Sequence, residues 1–347
     1  MLAASLTGIF SIVLFGPFVN RKVESNLEVF LFLMGLLSAT ISGVWSAELI
    51  REGLVAPVNI TLAVLAAGLL FHYLRRRIDS GMQSVLRRFP LRGVISVGII
   101  ILGILSSVIS AIIAALILVE FITVLRLHRR AEVRLTIIAC FAIGLGAALT
   151  PLGEPLSTIV VSKLSGEPHG ATFFYLANLL GVFTIAMIVG CGILSIFLVR
   201  ESKTDTEPTL SVKGGEESIG EVFVRSVKVY VFVMALIFLG AGFKPLIDKY
   251  FIKIPVLALF WANMVSAILD NATLTAAEIG PSLTESQIKS ALLGLLISGG
   301  MLIPGNIPNI IAAHALKIKS TEWARLGVPL GFVLMAFTAL LLMLEVV

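Results

Sequence analysis

Apolar residues run along this chain in long blocks separated by short polar stretches. The blocks occupy roughly 2–19, 27–49, 54–74, 93–125, 135–162, 171–199, 222–243, 252–279, 290–316 and 326–347. A helix needs about 20 apolar residues to cross the hydrocarbon core of a bilayer, so most blocks predict one span each. Block 93–125 is too long for one crossing at ordinary tilt. Blocks 135–162 and 290–316 are each interrupted by a Gly/Pro cluster, and block 252–279 carries Asp270 and Asn271 near its middle.

Basic residues sort these blocks across the membrane. Loop 75–92 holds six arginines and loop 126–134 holds four. The positive-inside rule places both on the cytoplasmic side. Block 93–125 lies between them, so it leaves and returns to one side as a re-entrant hairpin or as two short spans. The same reading applies to 252–279. With the other eight blocks crossing once, 20 of the 26 Lys and Arg residues fall inside and both termini lie outside. Segment 200–221 is the one clearly polar linker, expected to be mobile and cytoplasmic.

Composition agrees with lipid as the main solvent. The 347 residues are 58% hydrophobic and only 14% charged, against about 25% charged in soluble domains. The net charge of +5 then reads as basic loops facing anionic headgroups rather than as nucleic-acid binding. Cys140 and Cys191 sit inside apolar blocks, which argues against a disulfide framework. The first 19 residues lack a basic n-region and a small-residue cleavage site, so they read as a retained span.

An internal repeat organises the chain. Residues 146–156 read GAALTPLGEPL and residues 299–309 read GGMLIPGNIPN. At an offset of 153, Gly146 falls on Gly299, Leu149 on Leu302, Pro151 on Pro304 and Pro155 on Pro308. ISAII at 109–113 resembles VSAIL at 265–269, with a three-residue slip. Both halves run hairpin, broken helix, final helix, and the topology above inverts one against the other. The predicted fold is an all-α polytopic membrane protein with inverted repeats, two re-entrant hairpins and two broken transmembrane helices. Its parts are 1–199 (hairpin 93–125, broken helix 135–164), the linker 200–221, and 222–347 (hairpin 252–279, broken helix 290–316). Inverted repeats with discontinuous helices mark secondary transporters.

The candidate chemistry sits at the hairpins and breaks. Asp270 and Glu154 are carboxylates where a charge costs about 2.5–3.5 kcal/mol. They read as binding cations or protons, or else as structural carboxylates capping a half-helix. Asn271, Thr273, Asn306 and Asn309 supply further oxygen ligands, or hydrogen bonds that close the hairpin and the break. Ser157 and Thr158 stand where the first broken helix restarts, as ligands or as helix caps, and the first hairpin offers Ser110. Such an all-oxygen set suits a hard alkali cation; Asp270, Asn271, Asn306 and Glu154 form the expected sodium set. Glu278 reads as interfacial, and Lys163 and Lys317, near-equivalent in the repeat, read as reaching for the membrane surface. No Walker A, HExxH or CxxC motif is present, so neither an ATP-driven pump, a metal hydrolase nor any other enzyme is indicated.

The motifs DNATLT (270–275), GNIPNII (305–311) and GEPLST (153–158) resemble those of the ion transporter superfamily. That group holds D-type sodium/proton antiporters, arsenite permeases and dicarboxylate/sodium symporters. The stretch from Val23 to Glu52, with LEVFLFLMG and SGVWS, is similar to a prokaryotic family of predicted cation transporters. The resemblance implies a multi-pass protein of the prokaryotic cytoplasmic membrane. It also implies a homodimer with a scaffold domain and a transport domain that moves like an elevator. The expected function is sodium or lithium exchange for protons, with bound sodium as cargo and no other cofactor. The alternative is sodium-coupled transport of a dicarboxylate or oxyanion, held by half-helix N-termini at Ser157 and Asn309.

Overall fold

The computed structural model describes residues 2–20, 22–23, 26–55, 57–58, 61–62, 65–66, 69, 73, 88–199, 219–250, 255–269, 271–281 and 283–345. Most of block 54–74, most of the basic loop 75–92, nearly all of the linker 200–221, and Asp270 lie outside the described residues. The described residues are helical and contain no strand.

Thirteen α-helices are named here among them. They are α1 (Leu2–Val19), α2 (Leu27–Ser42), α3 (Leu91–Ile109), α4 (Ala111–Leu125), α5 (Arg129–Ala147), α6 (Pro155–Lys163) and α7 (Tyr175–Val199). The second part holds α8 (Ile219–Tyr250), α9 (Val256–Ala262), α10 (Asn271–Glu278), α11 (Glu285–Gly299), α12 (Ile307–Ala315) and α13 (Ser320–Glu345). A 3₁₀ turn over Asn263–Ala267 extends α9, and another over Ile303–Gly305 precedes α12.

Among the described residues, four helices are long and apolar enough to cross a membrane: Leu91–Ile109, Tyr175–Phe197, Val222–Pro245 and Ser320–Leu344. Their outward faces confirm the solvent. On α3, Val97, Ile101, Ile104 and Val108 are exposed at helical spacing, as are Val182, Ile185, Val189, Ile193 and Phe197 on α7. Apolar stripes of that length facing outward place the protein in lipid. One expectation is thereby sharpened: block 93–125 divides at Ser110, and its first arm alone is long enough to cross.

The core is built on the two helices that break. From Leu135 through Thr150 and from Ser290 through Ile303 every residue is buried. A helix apolar all round has to be enclosed by other helices, and small residues let them approach. A Cβ on Gly146 would overlap the carbonyl oxygen of Gly103, so α3 and α5 touch backbone to backbone there. Helices α3, α5 and α7 form one packed set, α9 and α11 another, and α2 lies along α8. The short helices pack crosswise: α4 lies against α12, and α10 against α6. Both cysteines are buried and free.

Candidate functional site

The two breaks share one backbone. Helix α5 ends at Ala147 and α11 at Gly299; the next residues, Ala148 and Gly300, have φ/ψ of −71/−13° and −74/−19°. The restarting helices α6 and α12 have nine residues each. Their N-caps, Glu154 and Asn306, are extended at −156/160° and −153/146°, and their C-caps, Leu164 and Leu316, match at −103/8° and −94/7°. These pairs lie 152 residues apart, not 153. The offset read from the prolines is therefore corrected by one: Glu154 corresponds to Asn306, Gly153 to Gly305, and Ser157 to Asn309. Lys163 corresponds to Ala315, so it is not the counterpart of Lys317.

The hairpins are registered by a different pair of serines. Ser106 Oγ donates to Ile143 O at 2.9 Å, and Ser266 Oγ donates to Leu295 O at 3.2 Å. Ile143 and Leu295 are themselves 152 apart, so Ser106 corresponds to Ser266. Ser110, paired with Ser266 by the ISAII/VSAIL match, instead forms the turn between α3 and α4, with φ 74°.

Ser157 and Asn309 do not cap helices. Each is the third residue of its half-helix and reaches back across the break. Ser157 Oγ donates to Ala148 O at 3.0 Å, and Asn309 Nδ2 donates to Gly299 O at 2.8 Å and Leu302 O at 2.9 Å. They take up carbonyls that the interrupted helix leaves over. The half-helix N-termini lie at Pro155 and Ile307, which corrects their assignment to Ser157 and Asn309. Thr158 Oγ1 donates to Pro151 O at 2.8 Å, also back into the break.

One cavity of about 430 Å³ lies where the two half-helix N-termini meet the first hairpin turn. Its lining includes Ser110, Gly153, Glu154, Thr158, Asn306 and Ile307. The backbone N–H of Ala111, next to the turn, donates to Gly153 O at 2.8 Å and holds turn and break together. Thr150 Oγ1 donates to Ser107 O and makes a second tie. Neither N-cap residue makes a side-chain capping bond, and both are buried. The Asn306 amide lies against Gly144, where a Cβ would come 2.5 Å from its Nδ2.

The structure thus gathers Glu154, Asn306, Ser110 and Thr158 at one cavity. Asn271 lies elsewhere, as the first residue of α10. It is buried between Ser266, whose hydroxyl donates to its Oδ1, and Gly299. The expected sodium set is therefore divided among the described residues: Glu154 and Asn306 share the cavity, and Asn271 does not line it. Asp270 lies outside the described residues, and so does the Thr273 side chain. No group of three or more His, Cys, Asp or Glu residues capable of holding a metal occurs among the described residues.

Three residues not singled out from sequence, and one that was, complete the second hairpin. Asn263, Ser266 and Thr275 are fully buried, and both carboxylate oxygens of Glu278 are buried. This corrects the interfacial reading of Glu278. The available signal was the spacing of Asn271, Thr275 and Glu278 at i, i+4 and i+7, one face of a helix.

A family model described as "Protein of unknown function (DUF1646)" matches residues 3–347. No curated protein matches the chain. The chain belongs to the DUF1646 family.

Proposed function

We propose that this membrane protein is a secondary active transporter exchanging sodium or lithium for protons across the prokaryotic cytoplasmic membrane. The observation that carries the reading is the meeting of two broken-helix N-termini at one cavity whose described lining holds a carboxylate and no basic residue. Broken helices at membrane depth expose backbone groups that hydrocarbon cannot satisfy, and such groups persist where they line a solute site. The likeness of the DNATLT, GNIPNII and GEPLST motifs to the ion transporter superfamily supports the same reading.

In this reading the matched breaks are the centres of two inverted repeats, and Asp270 and Glu154 alternate between proton and cation. Removing the cation raises a buried carboxylate's proton affinity, so competition for one site couples the two fluxes. The transport domain of each protomer in a homodimer would carry the site between faces, biased by its occupancy. Sodium-coupled anion transport is disfavoured because Glu154 would repel an anion from the same half-helix ends that attract it.

The test is purified protein in liposomes with a trapped pH-sensitive dye. Adding sodium or lithium outside should move protons, while choline should not. Dye traces identical for sodium and choline would remove the antiporter reading.

A further inference from the structure

The two hairpins each bond a serine to the same position of a broken helix but differ in the residues around it. In the register set by Ser106 and Ser266, Gly103 stands where the second hairpin has Asn263. Ala111 stands in place of Asn271, Ala115 of Thr275 and Leu118 of Glu278. The first set has no polar side chain: Ala111, Ala115 and Leu118 are buried among apolar residues. The second is polar along its length. Asn263 and Ser266, three apart on a 3₁₀ turn, share one face, and Asn271, Thr275 and Glu278 share one face of α10.

This seam has bonding capacity left over. Asn263 Nδ2 donates to Ala291 O at 3.0 Å, and Ser266 is bonded to Asn271. Asn263 Oδ1, Asn271 Nδ2, Thr275 Oγ1 and both oxygens of Glu278 have no hydrogen-bond partner among the described residues. Asn263, Asn271 and Thr275 are at most 2% exposed. The Asn263 side chain adjoins the Glu278 carboxylate but does not reach hydrogen-bond geometry.

A buried carboxylate with no ion pair among the described residues is costly as an anion. A proton removes that charge, and the resulting hydroxyl can donate to an amide oxygen such as that of the adjoining Asn263 side chain. The described charged side chains on elements packed against α10 are Lys163 on α6, Lys228 and Lys244 on α8, and Glu285 and Lys289 on α11. Lys163 Nζ donates to Ile279 O at 3.2 Å, and Lys228 is paired with Glu28. None forms a salt bridge with Glu278.

We propose that Glu278 is a proton-binding residue: it holds a dissociable proton in the seam between the hairpin arms and releases it to water when the protein binds a monovalent cation. The cation half of this statement rests on the antiporter reading; the proton half does not. When the proton leaves, Glu278 becomes an anion and the incoming cation supplies the balancing charge.

Two measurements on the purified full-length protein test it. The first adds sodium or lithium chloride to lightly buffered protein and reads released protons with an indicator, using choline chloride as control. Wild type should release protons, and Glu278→Gln should release about one fewer per chain. Glu278→Asp should restore the release, with a displaced pH profile. Equal release from wild type and Glu278→Gln overturns the proposal, as does no release from wild type. The second follows the infrared band of protonated carboxyl through a pH series without cations. A band that fades with rising pH in wild type and is missing from Glu278→Gln supports the proton site. Identical spectra overturn it even if Glu278→Gln folds poorly in other assays. Cation-driven proton release without exchange in liposomes would keep Glu278 and discard the transporter; normal exchange with unchanged release in Glu278→Gln would do the reverse.

Discussion

Ser157 and Asn309 occupy the same place in two different helices, each third in a nine-residue half-helix and each bonded back to carbonyls at or just beyond the end of the helix before it. Asn309 makes two such bonds within 2.9 Å where Ser157 makes one at 3.0 Å and a longer contact at 3.5 Å. A buried carbonyl that loses its donor costs about 1–3 kcal/mol. Asn309→Ala should therefore destabilise the protein more than Ser157→Ala, by about 1–3 kcal/mol. Thermal unfolding in detergent measures both. Equal shifts would mean that the bonds do not set the stability of the breaks.

Close approach makes the glycines of the breaks intolerant. A Cβ on Gly153 would overlap Ala147 O, and one on Gly305 would sit 2.5 Å from Gly299 O and 2.7 Å from Ser266 O. Gly153→Ala and Gly305→Ala should each cost about 1–3 kcal/mol or more, as overpacking does. Gly166→Ala, with nothing within 4 Å, serves as the control. A Gly153→Ala protein as stable as that control would refute the geometry of the first break.

The carboxylates divide the functional readings. Glu154→Gln and Asp270→Asn should each abolish sodium-driven proton movement in liposomes while the protein still inserts and purifies. Full activity in either variant would exclude that residue from the exchange. Glu154 tests the cavity directly, because its side chain lines it.

Helices α2 and α8 are tied by an ion pair between Lys228 Nζ and Glu28 Oε1 at 2.8 Å, and the Glu28 side chain is only 6% exposed. Removing one partner leaves a buried charge alone. Lys228→Met should cost about 3 kcal/mol, and the double variant Glu28→Gln/Lys228→Met should recover much of it. A double-mutant cycle in thermal stability gives the coupling. No coupling would place the pair outside the forces joining these helices.

How much of this was legible in the sequence follows from what each residue type can and cannot mark. The doubled prolines located both breaks, because a proline pair beside glycine cannot continue a helix. They did not fix the register. The first turn of a helix has N–H groups without partners, so proline fits at its first or second position. Pro155 takes the first and Pro308 the second, which displaced the alignment by one residue. The serine-alanine match between hairpins failed similarly, since small residues recur wherever helices touch. Glu278 was misread because α10 has only eight residues. In so short an arm, a carboxylate near the end of the apolar block looks like the membrane boundary, and only the packing of α6, α8 and α11 around α10 shows it enclosed.

The crosswise packing of the short helices has a consequence for the chain as a whole. Helix α4 lies along α12 and α10 along α6, so each half lends the other a flank for its nine-residue helix. A polypeptide carrying one half alone would leave that helix bare on one side, and the nearest matching surface would belong to a second molecule. The two halves are in this sense a pair of interlocked borrowers, and cutting the chain between them should yield fragments that are orphans singly and a working body only when expressed together.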